Sequence, residues 1–403
     1  MAMKLAERMQ RLGTEGAFEV LAKARKLEAQ GKHIVHLEIG EPDFATPDHI
    51  TEAAVCALQD GWTHYTPAAG IPEVRASVAA FVGRRLGVEV TADEVVLVPG
   101  SKNVLHFVLL SLIEPGDEVI YPDPGYPVYS SLINFVGAKQ VPIRLREERN
   151  FRLDPEELAS LVTDRTRMII LNTPQNPTGG VLTKKDVEFV SRLAVERDLY
   201  VVADEIYSQI TYGFEHASIL AEPGMKERTV LMDGMSKAYA MCGWRLGYGV
   251  APQELAVQME RLMINTSSCA AAFTQMAAIE AFDSPQSEQS VKRMVEEFRR
   301  RRDLVVDGLN DMPGVRCQRP EGAFYAFPNI EGTGLDERNL AAALLEEAGV
   351  AVLPGTAFGP AGSGFIRLAY TQGAEDLRLG LERMSSYLAG QRAGTAGSVE
   401  RTG

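Results

Sequence analysis

MIILNTPQNPTGGVLTKKDVEFVSRLAVERDLYVVADEIY, residues 168–207, decides the architecture. It opens on a short apolar run (168–171) and turns through Asn, Pro, Thr and Gly. It continues as an amphipathic stretch (184–197) and closes on a second apolar run (199–203). Short apolar runs without polar alternation, separated by a helix-length amphipathic segment, describe parallel strands buried on both faces. Similar runs stand at 94–98, 118–121, 230–232 and 247–250, with a further helical stretch at 253–264. The middle of the chain is therefore an α/β unit, and Pro/Gly clusters such as PGDE (115–118) and PDPGYP (122–127) punctuate its loops.

Outward from this unit the pattern changes. Residues 286–310 read as one long charged helix carrying RRRR at 299–302, which predicts a solvated face. A helix at 336–348, strands at 350–353 and 364–370 and a final helix follow, an α+β order that predicts a second, smaller domain. Residues 1–45 hold a helix at 15–30 and an extended stretch at 33–38, with no core of their own. The stretch 391–403, rich in Gly, Ala, Ser and Thr, reads as a disordered tail.

Composition narrows the function. The chain has 403 residues, 45% of them hydrophobic, enough for two or three structural units with a sizeable core. A formal net charge of −13 argues against nucleic acid and anionic membranes as partners, because neither is attracted to an acidic surface. Four cysteines (56, 242, 269 and 317) stand far apart with no CxxC pair, so neither a zinc site nor a disulfide framework is indicated and a cytoplasmic protein is expected. The first residues lack the apolar core of a signal peptide, and the longest apolar stretch (105–113) falls short of the ~20 residues that span a bilayer. Six scattered histidines show no metal or triad spacing, and GPAGSG (359–364) is no dinucleotide fingerprint; no metal is expected.

Five segments carry candidate chemistry. In SKAYAMCGWRLGY (236–248), Lys237 follows a strand, with Arg245 eight positions on. A lysine beside a fixed cation forms a Schiff base more readily, and the cation is itself a phosphate ligand. Asp204 ends a buried strand, at the edge where open α/β sheets bind ligands, although the same residue reads equally as a helix N-cap. Asn176, in the loop after the strand at 168–171, either turns the chain or points an amide at that edge. In VLVPGSKNVL (96–105), the N–H groups of Ser101 and Lys102 open a helix, a ready anion site. Arg367, within GFIRLAY (364–370), is either a solvent-facing arginine or a bidentate carboxylate clamp.

Taken together and in order, these segments resemble the class I/II aminotransferases, pyridoxal-phosphate (PLP) enzymes of fold type I, and in particular the aspartate or broad-specificity subgroup. The matching motifs are GEPDF (40–44), HYTPAAGIPEVR (64–75), PGSK (99–102), PGYPVY (124–129), NTPQNPTGG (172–180), ADEIY (203–207), SKAYAMCGWRLGY (236–248) and FIRLAY (365–370). The resemblance implies a large domain (46–290) with a mostly parallel seven-stranded sheet flanked by helices, and a smaller α+β domain from 1–45 and 291–390. It implies a homodimer with shared active sites. It implies that Lys237 carries PLP and shuttles a proton, that Asp204 pairs with the pyridinium N–H, and that Tyr207 and Asn176 hold the ring hydroxyl. Tyr126 would stack on the ring. Ser101, Lys102, Ser236 and Arg245 would hold the phosphate, joined by Tyr65 from the neighbouring subunit, and Arg367 with the backbone of Gly40 would hold the substrate carboxylate, beside Asn176 and Tyr126.

Two departures stand out: Cys242 replaces the usual Thr, and Gly234 stands where some relatives place a phosphate-binding hydroxyl. The implied reaction is ping-pong exchange of an amino group between an L-amino acid and a 2-oxo acid. The donor is aspartate or, since PGYP replaces a PYW-type segment, a broad neutral or aromatic set. Lys102 either meets an acidic side chain or faces solvent. A β- or γ-eliminating lyase is the alternative on the same scaffold. A ligand-sensing transcription-factor module would need a helix-turn-helix segment ahead of the fold, and the first 40 or so residues do not read as one.

Overall fold

A computed structural model describes residues 3–399. Its strands, in chain order, are β1 (Val35–His36), β2 (Val95–Val98), β3 (Glu118–Asp123), β4 (Lys139–Arg144), β5 (Thr166–Asn172) and β6 (Tyr200–Asp204). There follow β7 (Thr229–Gly234), β8 (Gly247–Val250), β9 (Tyr325–Ala326), β10 (Val350–Ala351), β11 (Leu353–Pro354) and β12 (Ile366–Ala369). Seven of them form one sheet in the order β2-β8-β7-β6-β5-β3-β4. Only β8 runs against the rest, pairing antiparallel with both β2 and β7. This is the α/β, mostly parallel seven-stranded sheet that the resemblance implies.

Strand alternation explains why these runs are apolar throughout. Val201 and Ala203 of β6 enter one core cluster, while Val202 enters another on the opposite face. Ile169 and Leu171 of β5 likewise face one side, Met168 and Ile170 the other. With period two and helices on both faces, these positions are buried on either side of the sheet, and each Val, Leu or Ile contributes about 1.5–3 kcal/mol. The helix Pro72–Leu86 covers the first face through Val74, Val78 and Val82, and Lys102–Leu112 covers the second through Val104, Leu105 and Val108. The helix Lys184–Glu196 starts on a capping box: the Thr183 hydroxyl accepts from the Asp186 N–H, and the Asp186 carboxylate accepts from the Thr183 N–H.

The topology brings the carboxyl ends of β2, β5, β6 and β7 to one edge, where β8 begins. Asn172 pairs with Asp204 across β5 and β6 there, and Gly234 with Gly247 across β7 and β8. Against that edge stands a three-stranded antiparallel sheet, β11-β12-β9, with its own core around Phe298, Phe324, Leu340 and Leu368. The N-terminal segment joins it. β1 pairs in parallel with β10, and the Ala369 N–H donates to Leu37 O at 2.7 Å.

Four expectations are corrected. The RRRR run is only half solvated: Arg299 and Arg300 pair with Glu296 and Glu297, but Arg301 and Arg302 are buried. Arg301 donates to Asp43 at 2.7 Å and to Thr371 O at 3.0 Å, and Arg302 donates to Pro320 O at 3.1 Å. Four consecutive helical positions sweep nearly a full turn, so a packed helix must bury some of them. The single strand expected at 350–353 is two strands in two different sheets. The helix expected at 336–348 ends at Ala343 and continues as a π-type turn, Leu344–Ala348. The final helix, Ala374–Val399, extends into the stretch where composition predicts a loose tail, and residues 400–403 lie outside the described residues.

Candidate active site

A cleft of about 560 Å³ opens at the carboxyl edge of the large sheet. Of the sequence-derived candidates, Gly40, Ser101, Lys102, Tyr126, Asn176, Asp204, Tyr207, Ser236, Lys237, Arg245 and Arg367 all line it. Tyr65 does not, and it is 87% exposed.

Lys237 enters from the loop after β7, its Nζ donating to Gly40 O at 2.6 Å. Gly40 has to be glycine, because a Cβ there would overlap the Tyr325 hydroxyl. Opposite, Asp204 is almost wholly buried at the end of β6, accepting from the Tyr129 hydroxyl at 2.6 Å and the Ile206 N–H at 3.3 Å. Burial pushes its carboxyl up to about 6, and these two hydrogen bonds only partly offset that. The Tyr207 hydroxyl shares a 2.7 Å hydrogen bond with Tyr325, and burial first, then Tyr325, hold it well above the usual phenol range.

A cradle forms where the β2 end, the start of the helix Lys102–Leu112 and β8 converge. A Cβ at Gly247 would overlap the Ser101 backbone nitrogen, and one at Gly100 would overlap the Arg245 guanidinium. Glycine is thus what lets the helix N-terminus, whose N–H groups favour an anion, lie beside a cation. Gly234 is explained in the same terms: a Cβ there would lie 2.9 Å from Gly247 Cα, leaving no room for a hydroxyl-bearing side chain. Cys242 lines the cleft, its thiol donating to Ser236 O at 3.0 Å.

Arg367 corrects the solvent-facing reading. All four residues of β12 are buried, because both faces of that small sheet are covered. Its guanidinium lies 4.5 Å from the Tyr325 ring centre and 4.8 Å from that of Phe358. It donates to Asn176 Oδ1 at 3.2 Å and to Glu38 O, while its buried Nε has no partner among the described residues. Burial lowers its pKa, so the cation is under-solvated and ready for a carboxylate.

Sequence reasoning missed three residues. Tyr129 lies in the quoted PGYPVY, three positions after Tyr126, where helical spacing could have signalled it. Tyr325 touches Lys237's neighbours Gly40 and Tyr207, yet it sits in a phenylalanine-rich stretch that reads as core. Glu15 pairs with Lys102 and accepts from the Tyr126 hydroxyl at 3.1 Å, contacts with no local pattern.

The donor set fits PLP. Among the described residues the buried Asp204 carboxylate accepts only from a hydroxyl and a backbone N–H and so can take a pyridinium N–H, the glycine-lined cradle suits a phosphate, and the Lys237 amine lines the same cleft. The fold and the cleft define a PLP enzyme of fold type I. The chain belongs to the family of aminotransferases class I and II, whose model matches residues 32–384, and it is a PLP-dependent aminotransferase. It is 40% identical to an aspartate aminotransferase of Pyrococcus horikoshii over 96% of this chain and 98% of that protein. It is 39% identical to aromatic-amino-acid aminotransferase 2 of Thermococcus litoralis, with the same coverage of both chains. The solved structure of the Thermus thermophilus aspartate aminotransferase with maleate matches with a TM-score of 0.92 at 39% identity, over 96% of this chain and 100% of that one.

Proposed function

We propose that Lys237 is the residue that carries the cofactor and moves the proton at the substrate Cα, in a ping-pong exchange between an L-amino acid and a 2-oxo acid. When bound, PLP supplies an electron sink that lets the amino group leave one carbon skeleton and join another. The chain's residues divide that work by charge. Asp204 keeps the ring nitrogen protonated, with Tyr129 holding the carboxylate in place. Tyr207 and Asn176 hydrogen-bond the ring hydroxyl, and Tyr126 packs on the ring. The N–H groups of Ser101 and Lys102, with Ser236 and Arg245, hold the phosphate. Arg367 and the backbone of Gly40 hold the α-carboxylate and so aim the Cα at Lys237.

The observation that carries this reading is the convergence of Lys237, Asp204 and Arg367 on one cleft from three separate segments of chain. We further propose a homodimer in which Tyr65 completes the partner's phosphate site. Its exposure outside its own cleft supports this. The division into 46–290 and 1–45 with 291–390 is supported by the β1–β10 pairing. Among the described residues all four cysteines are free and no helix is long and apolar enough to cross a membrane, which supports a cytoplasmic placement. Borohydride reduction of the loaded enzyme followed by peptide mapping tests the central assignment. Label is expected on Lys237, and label on any other lysine overturns it.

A further inference from the structure

The charges of the cleft do not all belong to the cofactor and the α-carboxylate. Lys237, Asp204, Arg245 and Arg367 have roles in the reading above; Lys102, Glu15 and Glu41 line the same cleft with side-chain charges that have none. Lys102 is the cation that an acidic substrate side chain would seek. Its ammonium is already answered from within the chain. One oxygen of Glu15 pairs with Lys102 Nζ and the other accepts from the Tyr126 hydroxyl at 3.1 Å. The Lys102 ammonium also lies 5.4 Å from the Tyr126 ring centre, so the three groups form one cluster. Glu15 directly precedes the helix Gly16–Glu28, and Phe18, one turn into that helix, lines the cleft while 61% exposed. Ile39 lines it as well.

We propose that Glu15 is a specificity-determining residue: its carboxylate takes the position on Lys102 that the side-chain carboxylate of an acidic substrate would take, so the cleft selects amino acids with a neutral, large apolar or aromatic side chain over aspartate and glutamate. An acidic side chain must either sit beside Glu15 and Glu41 without a counter-charge or displace Glu15 from both of its partners. Either course loses at least one charge-assisted hydrogen bond. An aromatic side chain loses none and gains apolar contact with Phe18 and Ile39. This inference rests on the aminotransferase reading.

The test uses the loaded enzyme and follows the loss of cofactor absorbance on adding phenylalanine or aspartate alone. Wild type is expected to prefer phenylalanine in kcat/KM. Glu15→Gln should raise the aspartate-to-phenylalanine ratio by roughly tenfold or more, about one charge-assisted hydrogen bond, and mainly through KM for aspartate. The double variant Glu15→Gln, Lys102→Met should lose that gain. A purely structural loss lowers both donors together and leaves the ratio where it was. A wild type that prefers aspartate, or a ratio unmoved by Glu15→Gln, overturns the proposal. Should the variant not fold, the wild type decides alone through inhibitor binding: 3-phenylpropionate is expected to bind more tightly than maleate, and the reverse order overturns the proposal. If neither donor converts the cofactor while another amino acid does, the aromatic preference is overturned; if no amino acid does, the proposed role of Lys237 fails and the inference falls with it.

Discussion

At the scale of single residues, Asp204 shows how burial sets up chemistry. Its carboxyl lies at about 6 rather than 3.8 because desolvation outweighs the Tyr129 and Ile206 hydrogen bonds and the pull of the Lys237 charge. In the cofactor-free protein the native state therefore holds a proton that the unfolded chain has released. The resulting stability is fully present below pH 3.8 and is lost as pH rises through about 6. The difference corresponds to roughly 3 kcal/mol at neutral pH. Cofactor-free Asp204→Asn is expected to escape this loss, its thermal stability gaining on wild type as pH goes from 4 to 8. Parallel stability curves for the two proteins would contradict the assignment. The same variant, once loaded, should lose activity on the order of 10²–10³-fold, because a buried charge pair is gone.

At the scale of elements, close backbone approach and strand pairing control the site. Gly247 lets β8 pass against the Ser101 N–H, so Gly247→Ala should widen the cradle and weaken PLP binding by about tenfold or more, measured by titrating cofactor into the free protein. Unchanged affinity would show that the cradle is not where the phosphate sits. In β1, His36 is raised to about 9, chiefly by its 2.8 Å hydrogen bond to the buried Glu38 and also by Glu28 at 3.0 Å. A raised histidine contributes stability that is fully present below about pH 6.5 and is lost as pH rises through about 9. His36→Gln should cost about 1–2 kcal/mol at pH 6, after allowing for solvent screening, and little at pH 10; urea melts at the two pH values check it.

The elements also show what was legible in the sequence. The β5–helix–β6 unit could be read because burial on both faces writes continuous apolar runs. Lys237, Asp204 and Asn176 could be read because each follows or ends such a run. Arg367 stayed open between a solvent-facing residue and a carboxylate clamp until the resemblance favoured the clamp, because nothing in IRLA reveals that a second layer covers its face. The Arg301–Asp43 and Lys102–Glu15 pairs were illegible, since ion pairs between residues distant in the chain leave no periodicity behind.

At the scale of the whole molecule, the proposed dimer makes a prediction that no single site can. If Tyr65 serves the partner's cofactor, two defective chains can repair each other. Lys237→Ala lacks the lysine of its own site but still offers Tyr65, and Tyr65→Ala is the converse. Mixing the two under conditions that exchange subunits should give more activity than the average of the separate proteins. Light scattering should report twice the 44.0 kDa chain mass. Strictly average activity would place Tyr65 outside any shared site.

The pairing of β1 with β10, and of Leu37 with Ala369, has a consequence for how the chain is made. The ribosome releases Val35 long before Val350 exists. At about 5–20 residues per second, the first strand waits on the order of 15–60 s for its partner. During that interval Ile34, Val35 and Leu37, all buried at the end, form an open β edge on a nascent chain. The proposed cofactor cradle, whose own-chain parts are all present once Gly247 has emerged, can form before Arg367 has been translated. On the assignment proposed above, the chain makes the cofactor's place before the substrate's.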